Sequence, residues 1–346
     1  MEASLYAYGV ARVRAKRSFM LKPEDYENML RAPTVHQALT HLRSVSDLGK
    51  DIPQTDNPQD IEKHLLDKFT YILRVLVESV RDRARDFLEA AINKYEYETL
   101  KALLKAKFLD IPRDEASLMA PPIGRYSGAL YTSIISARNI EQAIDLLPDI
   151  ELKALIRESL RQAESIKSPI PIETAIDKSL YTRLWRLADE LRESDRKYIR
   201  HLLGIEIDVK NILALVRGKF LGLQPSALEG MLLPLSYMLK LDLKSLSSQP
   251  LTSILQSLAA TYYGRAISPL AKDVTEIERS LQLLWVKENE VVFLHYPFTL
   301  SVFYAFANLK YAELKDVRAI LLSKLVELPP QRVLPLIMRH REKLSF

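Results

Sequence analysis

A fourteen-residue pattern that occurs three times constrains this chain more than any other feature. Glu96–Leu109, Asp208–Leu221 and Glu313–Val326 superimpose without gaps, at offsets of 112 and 105. Each opens on a carboxylate, has an aliphatic residue four places on (Leu100, Ile212, Val317) and then an alanine (Ala102, Ala214, Ala319). Each also carries a lysine near its end: Lys107, Lys219 or Lys324. A second landmark, Val35–Leu42, Ile140–Leu147 and Leu251–Leu258, recurs at offsets of 105 and 111. Amphipathic helices resemble one another, which accounts for shared apolar positions but not for matched spacing. A fixed period is the signature of a repeated structural unit. The chain therefore reads as three homologous units: 1–115, 116–226 and 227–346.

The units read as helical. From Asp60 the residues Ile61, Leu65, Phe69, Ile72, Leu76, Val80, Ala84, Phe87 and Ala91 step by three or four, which predicts one helical face. Leu184, Trp185, Ala188, Leu191, Tyr198 and Leu202 predict a long helix ahead of the second repeat. Asn57-Pro58 and Thr34 are start signals. Prolines at equivalent places, Pro112 with Pro329 and Pro225 with Pro330, predict a stop and a restart after each repeat. The chain holds only nine glycines in 346 residues, under half of the roughly 7% expected. It thus has little material for the tight turns of mixed α/β enzymes. Only Glu206–Asp208 and Glu290–Phe293 are ambiguous with strand, so the expected class is all-α. Val291–Leu309 contains no Asp, Glu, Lys or Arg, but Pro297 divides it and His295, Thr299, Ser301 and Asn308 punctuate it. It reads as buried helix rather than a membrane span.

Sites of chemistry are not visible. There is no cysteine, which removes disulfides, thiolate ligands and thiol nucleophiles and agrees with an intracellular setting. No signal peptide is apparent before Arg12. Gly49-Lys50 and Gly218-Lys219 lack the following Ser or Thr of a phosphate loop, and no G-x-G, H-x-x-x-H or G-x-S-x-G occurs. No catalytic residue, metal ligand or cofactor is expected. The net charge of +5 is spread thinly, with 19 basic against 19 acidic residues in the first unit, 16 against 14 in the second and 14 against 11 in the third. A nucleic-acid binder gathers its charge on one face, so no nucleic-acid partner is expected. Asp208, Lys210 and Asn211, with Glu313, Lys315 and Asp316, read as capping acids and a polar face at the start of the repeated helices. Gly218-x-x-x-Gly222 reads either as a surface for close helix packing or, equally, as a helix ending with Gly222 as its C-cap.

Three segments resemble a known family. Tyr6–Arg14, the Asp208-x-Lys210-Asn211-Ile212 motif and Phe303…Leu309–Arg318 are similar to the C subunit of archaeal and bacterial V/A-type rotary ATPases, the equivalent of the d subunit of eukaryotic vacuolar ATPases. The resemblance covers the whole chain in length, order and triplication. It implies three homologous helical domains around a pseudo-threefold axis, forming a funnel. It also implies a non-catalytic central-stalk adaptor, peripheral on the cytoplasmic face of the membrane. The partners would be central-shaft subunits of D and F type and the membrane proteolipid rotor ring. Arg12 and Arg14, from the N-terminal motif, and Asp208, Asn211, Glu313 and Arg318, from the repeated helices, are the interface candidates. The first unit departs from the pattern with Glu98-Thr99 in place of Lys210-Asn211, and the third with Asp316 in place of the asparagine. The alternative is a helical-repeat protein-binding scaffold unrelated to rotary ATPases. Against it, a unit near 110 residues is far longer than the roughly 20–45 residues of solenoid repeats.

Overall fold

The computed structural model describes residues 2–339 apart from 269 and 272, and the described residues are helical without a β-strand. The chain opens with α1 (Glu2–Arg17), α2 (Pro23–Arg31) and α3 (Val35–Val45). A long pair follows, α4 (Pro58–Val77) and α5 (Asp82–Phe108), then α6 (Arg113–Met119), α7 (Gly128–Ile135), α8 (Ile140–Asp145) and α9 (Ile150–Ile166). The second long pair is α10 (Ile170–Asp189) and α11 (Glu193–Phe220), trailed by α12 (Pro225–Met231), α13 (Leu243–Ser247) and α14 (Leu251–Ala259). The third is α15 (Val274–Val291) and α16 (Leu300–Leu325), with α17 (Pro330–Val333) after it.

The start signals act as read. Thr34 accepts the amide of Gln37 and Asn57 that of Gln59, so each satisfies a donor the helix leaves free. The periodic run from Ile61 to Ala91 is nevertheless divided. α4 stops at Val77, and α5 restarts at Asp82 with φ +53°. α1 crosses at this gap: Arg12 donates to Ser79 Oγ at 3.3 Å, and a Cβ on Gly9 would lie 3.0 Å from the Ser79 carbonyl oxygen. The run from Leu184 to Leu202 is divided likewise between Asp189 and Glu193, and the third pair between Val291 and Leu300. Periodicity survives the gaps because both helices of a pair face the same interior.

The pairs pack in a closed cycle. The second helix of each lies against the first helix of the next: α5 on α10, α11 on α15, and α16 back on α4. The short helices of the second landmark follow the same rule, with α8 on α5, α14 on α11 and α3 on α16. The last long helix is thus clothed by the first residues of the chain. α16 also touches α1, α2, α5, α11 and α15, so every residue from Leu300 to Lys310 is buried. A helix enclosed on all sides is apolar all round, which accounts for the uncharged stretch before Leu309. Among the described residues no helix is long and apolar enough to cross a membrane.

Candidate functional site

The carboxylates that open the three repeats do not begin helices. Glu96, Asp208 and Glu313 stand in the middle of α5, α11 and α16, all buried, and this corrects the reading of Asp208 and Glu313 as capping acids. Their task is to hold loops. Asp208 accepts the amides of Tyr237, Met238 and Leu239 at 2.9, 2.6 and 2.9 Å and the Tyr263 hydroxyl at 2.8 Å. Glu96 accepts from the amide and Nε of Arg125, at 3.2 and 2.9 Å. Glu313 accepts from the Leu21 amide, Ser46 Oγ and Lys310 Nζ, at 3.2, 2.9 and 2.8 Å. Buried loop amides lack helical partners, and an unmatched one is expensive, so a buried side-chain acceptor replaces water.

The fourth place of each repeat does similar work 22 residues downstream. Thr99 donates to the carbonyl of Pro121, Asn211 accepts the Leu233 amide at 2.7 Å, and Asp316 accepts the Met338 amide at 2.9 Å. Three different side chains thus tie down three equivalent loops. Burial pushes the Asp208 carboxyl up from its ordinary range, against the opposing pull of its amide donors. The same balance, with burial dominant, pushes Asp316 up to about 7.

Between the fastened loops the long helices α5, α11 and α16 run parallel around one opening. Equivalent residues meet at matching heights: Lys94 with Glu206 at 2.9 Å, Lys210 with Glu98 at 4.0 Å, and the rings of Tyr304 and Phe87 at 5.7 Å. The opening holds about 680 Å³ and is lined from all three helices and from α10 and α15. Part of its lining is a buried polar network. Lys94 donates to Glu206, to Asn308 Oδ1 at 2.6 Å and to Tyr304 at 3.2 Å, while Tyr181 and Tyr304 donate to Glu206 at 2.7 and 2.8 Å. Burial lowers the Lys94 ammonium pKa, partly offset by the Glu206 charge. For Glu206, burial is outweighed by Lys94 and the two hydroxyls, so its pKa falls.

The third place of each repeat faces the opening itself. Glu98, Lys210 and Lys315 stand there, one acid and two bases in equivalent positions. Lys101 lies 2.7 Å from Glu98 and 2.9 Å from Asp177, and Lys210 lies 3.0 Å from Asp177. Burial works to raise the Glu98 pKa, but the charges of Lys101 and Lys210 outweigh it and hold it at about 2. Further along, Lys105 turns to Glu173 of α10 and Arg217 to Glu278 of α15.

The residues singled out from the sequence fall elsewhere. Asp208, Asn211 and Glu313 are buried in the loop ties, and Arg318 pairs with Glu62. Arg12 is half-buried against Ser79 and the Tyr8 ring, while Arg14 is exposed beside a shallow cavity with Arg17, Glu290 and Arg339. Of the opening's own residues, Glu98, Lys210 and Lys315 are visible in the aligned repeats. Their shared position on the opening is hidden there, because equivalent places carry opposite charges.

The family model described as "ATP synthase (C/AC39) subunit" matches residues 9–335. The chain is similar to the C subunit of the A-type ATP synthase of Methanothermobacter thermautotrophicus, 22% identical over 327 residues that cover 92% of this chain and 84% of the relative. It is 23% identical to that of Methanocaldococcus jannaschii over 349 residues, covering 96% and 86%. With that of Methanosarcina mazei it shares 24% identity over 301 residues, covering 84% and 81%. With a match that runs through all three long helix pairs, the chain belongs to the ATP synthase (C/AC39) subunit family.

Proposed function

We propose that the chain is the non-catalytic central-stalk adaptor of a V/A-type rotary ATPase or ATP synthase. In this reading the units 1–115, 116–226 and 227–346 each contribute one long helix pair to a funnel around a pseudo-threefold axis. The funnel receives the foot of a central shaft built from D- and F-type subunits and seats on the membrane proteolipid ring. It would lie at the cytoplasmic face, held to the membrane through protein contacts, and would couple rotation to ion transport. The observation that carries the reading is the closed cycle of helix pairs whose equivalent residues line one opening. Torque transfer asks for a rigid body with a recess, and fastened loops on parallel helices answer that need. The C-terminal turns of the repeated helices also leave the equivalent residues Leu109, Leu221 and Val326 exposed, apolar surface suited to a protein partner.

The test is co-expression with the shaft subunits of the same organism, followed by size-exclusion chromatography with the detergent-solubilised ring. Co-elution of chain, shaft and ring is the expected result. Failure to bind either shaft or ring would end the adaptor reading.

A further inference from the structure

The charges in the opening are matched with one exception. Glu98 and Asp177 share Lys101 and Lys210, Glu206 holds Lys94, Glu278 holds Arg217, and Glu173 has Lys105 at 3.9 Å. Each lining carboxylate is therefore engaged by a cation of the chain itself. Lys315 is different. Its ammonium lies 5.8 Å over the Tyr311 ring, and among the described residues no carboxylate reaches ion-pair distance of it. The side chain is exposed to the opening and stands at the same height as Glu98 and Lys210 on the other two walls. An object that entered the opening would strip water from this ammonium, and an unpaired desolvated charge costs several kcal/mol unless an opposite charge meets it. The occupant must supply a carboxylate at that height. The other walls offer no equal place for it, because Glu98 would repel it and Lys210 is already engaged by Asp177.

Resting on the adaptor reading, we infer that the opening takes an acidic helical end of the shaft, whose carboxylate pairs with Lys315 and so selects one of three rotational registers. The three walls descend from one repeat, and their third places, Glu98, Lys210 and Lys315, break the equivalence that would otherwise admit three dockings. Like charges set opposite each other exclude wrong registers, while the matched charge favours the right one.

The experiment measures binding of the shaft subcomplex to the intact chain and to its Lys315→Glu and Lys315→Met variants, at low and at high salt. Lys315→Met should keep the wild-type melting curve, since Lys315 has no ion pair at contact distance to lose within the chain. Lys315→Glu sets a second carboxylate near Glu98, so its binding is measured well below its own melting midpoint. Lys315→Glu is expected to weaken binding by roughly tenfold or more at low salt, Lys315→Met by less, and the gap should narrow as salt screens the pair. A cross-link from the wall of α16 to the shaft should form at one shaft position in the wild type. It should scatter over several positions in Lys315→Glu. If Lys315→Glu binds as tightly as wild type at low salt, the inference fails while the adaptor reading stands. If inorganic phosphate displaces the shaft from the wild type but not from Lys315→Met, the site is one for a small anion and the inference also fails. If the wild-type chain does not bind the shaft at all, the adaptor reading itself is lost.

Discussion

Glu98 shows how one side chain in the opening differs from its equivalents and what that difference should do. Three ammonium groups surround it, and its folded pKa of about 2 lies below the ordinary glutamate range. The sign follows from linkage: a carboxyl with a depressed folded pKa adds stability above its unfolded pKa, and that stability disappears as pH falls towards the folded value. Relative to Glu98→Gln, the wild type should therefore be more stable at neutral pH by no more than about 1 kcal/mol, because water still reaches the side chain in the opening. The advantage should shrink steadily from about pH 4.5 downward. Parallel chemical denaturation of the two proteins over this range checks it. A difference that grows as the pH falls would contradict the arrangement. None of this was legible in the repeats, where Glu98 stood out only as a departure from Lys210.

At the scale of the element, the three repeated helices end alike with unlike residues. Asp110, Gly222 and Glu327 occupy equivalent places just past α5, α11 and α16, with φ of 52°, 69° and 54°. The next amide in each case bonds back to the helix, from Ile111 to Ala106 at 2.9 Å, from Leu223 to Gly218 at 3.0 Å and from Leu328 to Ser323 at 2.8 Å. This is the left-handed helix cap that glycine adopts without steric cost. The reading of Gly222 as a C-cap holds, but the same turn was unreadable at Asp110 and Glu327, since acidic residues do not announce a left-handed backbone. Glu327→Gly should raise stability by about 0.5–1 kcal/mol by relieving the strained φ, net of glycine's added entropy. Gly222→Ala should lower it by about 1 kcal/mol. No atom lies within 4 Å of the position a Gly222 Cβ would take, so the loss would be one of backbone alone. Thermal melts of the two variants with opposite shifts are the expected result. Equal shifts in one direction would show that something other than the cap is at work.

For the whole molecule, the closed cycle joins the two ends of the chain. α16 takes α3 and α4 as its neighbours where α5 and α11 take later helices, and Glu313 fastens Leu21 and Ser46 across nearly the full sequence. Tyr6, on α1, donates to Asp195 at 2.7 Å and packs against Phe303. Deleting residues 1–17 would expose the partners of Tyr6, Val10 and Val13, at a cost on the order of 5 kcal/mol from apolar burial alone. The truncated chain should show a lower thermal midpoint and faster hydrogen exchange along α16, although α16 lies some three hundred residues away in sequence. Unchanged protection of α16 would contradict the closure.

By itself, the sequence determined what local spacing can carry. The helical class follows from residues three and four apart, the recurrence of the long helix from matched offsets, and several caps from Thr34, Asn57 and Gly222. The enclosure of the stretch before Leu309 follows from its lack of charge. Only the tertiary structure decided how the pairs interlock, where α1 breaks the run at Ser79, and which polar residues of the repeat turn inward. Asp208 and Glu313 looked like caps because a buried acceptor and an exposed cap are the same residue type. What separates them is whether a loop 29 to 31 residues downstream, or in Glu313's case one nearly three hundred residues upstream, comes back to donate its amides. Such pairings join positions far apart along the chain, and no local periodicity records them.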